Sequence, residues 1–185
     1  NFSALSIFLD KTFEPLWAEV KDESYYLWPV ESRDSSLPRE KQTLSPSDFG
    51  FHNAIRRGDG EIIFIDFDYF GWDDPVKLTT DFLWHPAMNL NTELKEKWQE
   101  AMLGVFSDDL HFENRLNVTM PLYGLRWAMI VLNEFLPEFA KRRREAGVES
   151  YNLEKSQEIQ LKKAKHYCEK VKARSEEHTS ELQPR

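Results

Sequence analysis

Cysteine is nearly absent: Cys168 is the one thiol in 185 residues, so neither an internal disulfide nor a cysteine metal cluster can form within the chain. It lies in a Lys-rich helical stretch and reads as structural. Long hydrophobic runs are missing too. Apolar stretches such as Trp127 to Leu132 fall far short of the roughly 20 residues that cross a bilayer, and no signal-peptide pattern opens the chain. A soluble, cytoplasmic protein with no membrane partner is expected. Positive charge is in deficit, with 24 Lys and Arg against 32 Asp and Glu for a net charge of -8. That excludes a generic nucleic-acid binder, which neutralises phosphates with clustered cations. The one dense basic run, Lys141 to Arg144, ends a long apolar helical pattern. There it complements the helix dipole and faces water, or else offers a surface for an anion.

What is present is a core. Hydrophobic residues make up 41% of the chain, with six Trp and thirteen Phe, enough for one domain. Helical periodicity runs from residue 2 to about 21, with Pro15 as kink or boundary. Residues 28–47, with Pro29, Pro38 and Pro46, read as a connecting loop. The segments Asn53 to Arg56 and Glu61 to Asp66 flank Gly58-Asp59-Gly60, the signature of a β-hairpin. Helices are then expected at about 77–85, 91–106, 109–144 with a break near Pro121, and 151–172. The fold class is therefore α+β and mostly helical, around one small hairpin. At the ends, Asn1 opens directly into helix, and Arg174 to Gln183 reads as the translation of a common sequencing adapter. The expectation is a fragment whose natural part is residues 1–173, with 174–185 an appended tail.

Chemistry concentrates at the two ends of the hairpin. A tight hairpin sets its open ends side by side, so Asn53 and Asp66 are expected to be neighbours although thirteen positions apart. A carboxylate and an amide oxygen are hard donors suited to Mg²⁺, which takes one or two protein ligands and leaves its other positions to phosphates and water. Asp48, five residues before Asn53, is placed to accept a proton from a hydroxyl.

The pattern Asp48-x-x-x-x-Asn53, then strand, turn, strand and Ile65-Asp66-Phe67, resembles the catalytic core of the aminoglycoside phosphotransferase and choline-kinase-like family. Gly71, Asp74 and Pro75 resemble that family's Gly-x-x-Asp-Pro stretch. The same Asp-to-Asn spacing recurs in protein kinases. The resemblance is strong over residues 44–82 and general elsewhere. It implies the C-terminal lobe of a protein-kinase-like fold and phosphoryl transfer from ATP, or another nucleoside triphosphate, to a hydroxyl of a small molecule. Asp48 is then the base, and Asn53 and Asp66 are the Mg²⁺ ligands. No Gly-rich phosphate loop and no Val-Ala-Ile-Lys-like strand occurs here, so a nucleotide lobe would have to precede Asn1, and the fragment alone is expected to be inactive. Two positions depart from the family pattern. Its bracing His is Pro46, which leaves Ser45 or Ser47 to support the loop, and a later Asp is Leu78, with Asp81 the nearest acid. Acceptor pockets of the family make Trp84, His85, Tyr123, Arg126 and Trp127 candidates, although packing accounts for most of that apolar helix.

Other readings compete. Singly, Asp48 suits an N-cap or turn, Asn53 a turn and Asp66 a strand end. An EF-hand register through Asp66, Asp68 and Gly71 puts Phe70 and Lys77 where oxygen ligands are required. A metal-dependent hydrolase wants further His or carboxylate ligands. The main alternative is a catalytically inactive kinase-like binding module, which intact base and ligand positions argue against. His52 reads as a lone His with no second His or Cys at metal spacing. Asp68 is open between supporting, substrate-facing and solvated roles. Phe67, Tyr69, Phe70 and Trp72 read as core or pocket wall.

Overall fold

A computed structural model describes residues 1–29, 35–145 and 152–181; the side chains of 140, 143, 144 and 176–181 lie outside the description. The expected loop thus falls partly outside it, at 30–34. So do the Arg143 and Arg144 side chains and much of the expected tail.

The chain divides into two units, one of residues 1–24 and 124–185 and one of residues 25–123. The first unit is helical. Helices α1 (Phe2–Phe8) and α2 (Glu14–Leu27) are joined by a π-helical turn, Leu9–Phe13. Proline has no N–H for the i−4 carbonyl and its ring crowds that group, so the widened turn before Pro15 accommodates what would otherwise be a kink. Later come the end of α5 (Phe112–Val131), α6 (Pro137–Glu145) and α7 (Leu153–Glu181). The unit's buried side chains include Phe8, Val20, Leu125, Leu132, Leu161 and Val171. Cys168 is buried among them, and burial with the neighbouring Glu169 pushes its thiol up to about 11, which keeps it protonated and inert.

The break expected near Pro121 falls elsewhere. Pro121 lies inside α5, and the helix gives way to a 3₁₀ turn at Leu132–Phe135. The cause is Pro137. Its ring excludes the α conformation from the preceding residue, and Leu136 is extended at φ -80°, ψ 133°.

The second unit carries α3 (Pro75–Trp84), α4 (Thr92–Val105), the first part of α5 and four three-residue strands: β1 (Thr43–Ser45), β2 (Ala54–Arg56), β3 (Ile62–Phe64) and β4 (Gly71–Asp73). β2 and β3 form the expected hairpin with Ala54 opposite Phe64. Gly60, at φ +94°, closes the turn where only glycine is unstrained. β1 pairs antiparallel with β4, Ser45 opposite Gly71, a second ladder that polar, Pro-containing flanks concealed. The two ladders are nested, so the segments 46–53 and 65–70 are each pinned at both ends. In the same unit Val76, Phe112, Leu116 and Met120 are buried, with Trp84 and Met102 packed against them.

Candidate functional site

The loop between β1 and β2 is folded back by local hydrogen bonds. Asp48 N–H donates to the Pro46 carbonyl at 2.8 Å, and Ser47 at the centre of that three-residue turn has φ 65°. Ser45 and Ser47 supply the bracing that Pro46 cannot. The Ser45 hydroxyl accepts from Ser47 N–H at 3.2 Å, while the Ser47 hydroxyl donates to the Tyr69 carbonyl at 3.1 Å and accepts from Lys77 Nζ at 2.7 Å. Lys77 also pairs with Asp73 at 3.1 Å and stands 3.9 Å from the buried Asp81. Below the loop, Phe49 packs on Phe64 and Phe82 with ring centroids 4.6 and 5.6 Å away, and Phe82 stacks on Trp98 at 4.0 Å. Each such aromatic pair adds about 0.5–1.5 kcal/mol beyond its buried area. The residue after Asp48 is thereby anchored.

Asn53 is fixed from both sides. Its carbonyl accepts from Ile65 N–H at 2.9 Å, which carries the hairpin ladder one step past β2 and sets Asp66 beside the Asn53 end of the loop. Its side-chain Nδ2 donates to the Asp48 carbonyl at 2.9 Å. Only the NH₂ of an amide can donate, so this bond decides which way the group points. Oδ1 is the atom left for a ligand. Asp66 is exposed and has φ 64°, a left-handed conformation that costs a non-glycine residue roughly 1–2 kcal/mol. Such strain gathers at functional sites. Of the three described non-glycine residues at positive φ, Ser47, Asp66 and Asn89, two flank this loop pair. Nothing among the described residues engages the Asp66 carboxylate. Asn53 Oδ1 and the Asp66 carboxylate are both hard oxygen donors, the chemistry that Mg²⁺ takes.

Asp48 has partners the sequence did not reveal. His52 Nε2 lies 3.0 Å from its Oδ1 and His85 Nε2 lies 3.3 Å from the same oxygen. The imidazoles are stacked at 3.9 Å with 2° between their planes. Reading His52 as a lone histidine is therefore corrected: its companion comes from the end of α3, 33 positions later, where Pro86 ends the helix and turns His85 inward. No spacing rule links the two. Gly50 makes the arrangement possible, since a Cβ there would stand 2.7 Å from both His52 Nδ1 and Met88 Sδ.

These three residues are near enough to suggest a metal centre, but the stacking argues against a shared ion. Nitrogen lone pairs lie in the ring planes, and two separate parallel planes cannot both contain an ion about 2.0–2.1 Å from each nitrogen. His52 makes a hydrogen bond to that carboxylate oxygen, and His85 Nε2 stands beside it at 3.3 Å. His85 Nδ1 accepts from Ala87 N–H at 3.1 Å, which assigns the ring proton to Nε2 on the Asp48 side. Burial and the neighbouring His52 hold the His85 imidazole down to about 4, against the smaller pull of Asp48. It is neutral at pH 7. Asp48 Oδ2 has no partner among the described residues, and the side chain is 43% exposed.

Of the proposed acceptor residues, His85 stands at Asp48, whereas the Trp84 indole donates to the Met120 carbonyl at 3.0 Å and Trp127 is buried in the other unit. Phe67, Tyr69, Phe70 and Trp72 are not core: all four are exposed, Tyr69 by 76%. Asp74 has a structural place, capping α3 by accepting from Val76 N–H at 2.9 Å and meeting Arg115 Nε at 3.0 Å.

No protein-family model, no curated protein and no solved structure matches the chain. Among the described residues no helix is long and apolar enough to cross a membrane.

Proposed function

We propose that this chain is the catalytic and acceptor-binding lobe of a Mg²⁺-dependent phosphotransferase of the aminoglycoside phosphotransferase and choline-kinase-like type, acting on a hydroxyl of a small molecule. The observation that carries this reading is the orientation of Asn53: its NH₂ is held by the Asp48 carbonyl, so its amide oxygen is left for a cation beside Asp66. The nested strand pairs supply further support, because they hold the Asp48 loop and the Asp66 loop at both ends.

In this reading Asp48 Oδ2 accepts the hydrogen bond of the acceptor hydroxyl, aims its oxygen at the phosphorus and takes its proton as transfer proceeds. Asn53 Oδ1 and the Asp66 carboxylate would hold Mg²⁺, which would supply positive charge to offset that of the nucleoside triphosphate. This reading calls for nucleotide-recognition residues on a further segment.

Manganese broadening of nuclear resonances tests the metal half on the chain itself. Submillimolar Mn²⁺ is expected to broaden the signals of Asn53 and of residues 65–67 first. Excess Mg²⁺ is expected to restore them, and Asp66→Ala to abolish the effect. Broadening centred elsewhere, or unchanged in Asp66→Ala, overturns the assignment. The transfer itself is tested by joining the chain to its nucleotide-binding segment and screening hydroxyl-bearing metabolites with ATP; magnesium binding without transfer to any acceptor favours the inactive binding module.

A further inference from the structure

The His52 and His85 pair is absent from the motif that suggested phosphoryl transfer. Two parallel imidazoles converge on a single carboxylate oxygen. We propose that His85 is a positioning residue for Asp48, working as a neutral Nε2–H donor that, together with His52, fixes the carboxylate so that Oδ2 alone faces the acceptor hydroxyl. The proposal rests on the phosphotransferase reading for the identity of what Oδ2 meets, but not for the geometry of the brace.

Three observations combine. A carboxylate on a loop rotates between two equivalent oxygens, and a base that must present one of them loses rate to every misaligned rotamer. At Asp48 the backbone is already held, by Pro46 and Phe49, so what remains free is the carboxylate torsion. The imidazoles restrain that torsion through Oδ1. Second, His85 is locked as a donor from behind: Ala87 N–H occupies Nδ1, the turn to Met88 is closed by Met88 N–H on the His85 carbonyl at 3.0 Å, and the buried Met88 thioether accepts from Phe51 N–H at 3.2 Å. The brace is thus tied to the loop it serves. Third, His85 is neutral in its enclosed place beside Asp48. A protonated imidazole at His85 would stabilise the carboxylate more strongly and weaken it as a base, whereas a neutral N–H orients it at smaller cost in basicity.

The test uses the full chain labelled with ¹⁵N-histidine and ¹³C-carboxyl aspartate. Long-range ¹H–¹⁵N spectra at pH 7 are expected to give His85 as the neutral Nε2–H tautomer with a bare Nδ1, and Asp48→Asn is expected to move the His85 Nε2 resonance. The Asp48 carboxyl signal is expected to be retained in His85→Gln, which keeps an N–H near the Nε2 position, and to shift in His85→Leu, which does not. An Nδ1–H or cationic His85, or an Asp48 signal indifferent to His85→Leu, overturns the proposal. If His85→Leu does not fold, the decision falls to Asp48→Asn, where an unmoved Nε2 resonance has the same consequence. Failure of the phosphotransferase reading would register separately, as the absence of manganese broadening at Asn53 and residues 65–67, and would leave these imidazole spectra unchanged.

Discussion

At the scale of single residues, the site is a case of position deciding chemistry. That Asn53 meets Asp48 and Ile65 was readable from spacing, because the distances along the chain are short and the turn between the strands is encoded by Gly58-Asp59-Gly60. His85 was not readable in that role. It reaches Asp48 through the end of a helix, and a lone histidine 33 positions away carries no local signal. Its environment gives it a measurable consequence. The folded protein holds the His85 imidazole at about 4, by burial first and by His52 second, against an ordinary value of 6.5. Between those two values the unfolded chain binds the proton and the folded chain does not, so protonation favours unfolding. The stability contribution is present above pH 6.5 and is lost as pH falls through 4. Urea midpoints of the wild type and of His85→Gln, which does not titrate, are expected to diverge across this window, the wild type losing ground as the solution is acidified. A constant difference from pH 7 to pH 4 would show that His85 protonates as readily folded as unfolded.

Elements follow the same logic one step larger. Helix α3 begins where Pro75 occupies the first turn and Asp74 caps it, a start signal legible in the sequence. What spacing could not show is that the same carboxylate meets Arg115 of α5 through both Nε and Nη2, at 3.0 and 3.2 Å. Arg115 is buried and also pairs with Asp109 at 2.8 Å. Burial opposes ionisation of Asp109, but hydrogen bonds from Arg115, Lys41 and the His111 backbone outweigh it and hold the carboxyl down to about 2. Asp74 is therefore a cap and half of the countercharge of a buried guanidinium. Asp74→Ala is expected to cost roughly 2–4 kcal/mol in urea denaturation, combining a lost cap with a buried cation left to one partner. Asp74→Asn keeps the cap acceptor and loses the charge, so it is expected to fall between. Equal losses in both variants would mean that the cap contributes nothing beyond the ion pair. The misplaced break in the long helical stretch belongs to this scale too: Pro121 and Pro137 look alike in sequence, and α5 accommodates the first inside its length while the second stops the helix.

For the molecule as a whole, the α+β class and the hairpin were legible because they rest on local periodicity and turn chemistry. The division into two units was not, since the first unit joins residues 1–24 to residues 124–185 and no local pattern reports so distant a pairing. The β1–β4 ladder escaped for a related reason: three-residue strands with Pro46 and Gly71 at their borders carry too little period to stand out. Yet that outer ladder holds the segments 46–53 and 65–70 at their outer ends, as the hairpin holds them at their inner ends. On the phosphotransferase reading, and in an enzyme that includes a nucleotide-binding segment, Asp48→Asn is expected to lower turnover by roughly 10²–10⁴-fold, the range for a positioned general base, with nucleotide affinity nearly unchanged. Asp66→Ala removes a charged ligand, so it is expected to weaken Mg²⁺-nucleotide binding together with turnover. Asn53→Ala is expected to follow Asp66→Ala in milder form, and to disturb Asp48 as well, since the Asn53 NH₂ holds the Asp48 carbonyl at 2.9 Å. Measuring kcat and the nucleotide KM for all three separates the roles. Near-wild-type turnover in Asp48→Asn with an identified acceptor would remove the base assignment. A nucleotide KM that Asp66→Ala leaves unchanged would remove the metal assignment.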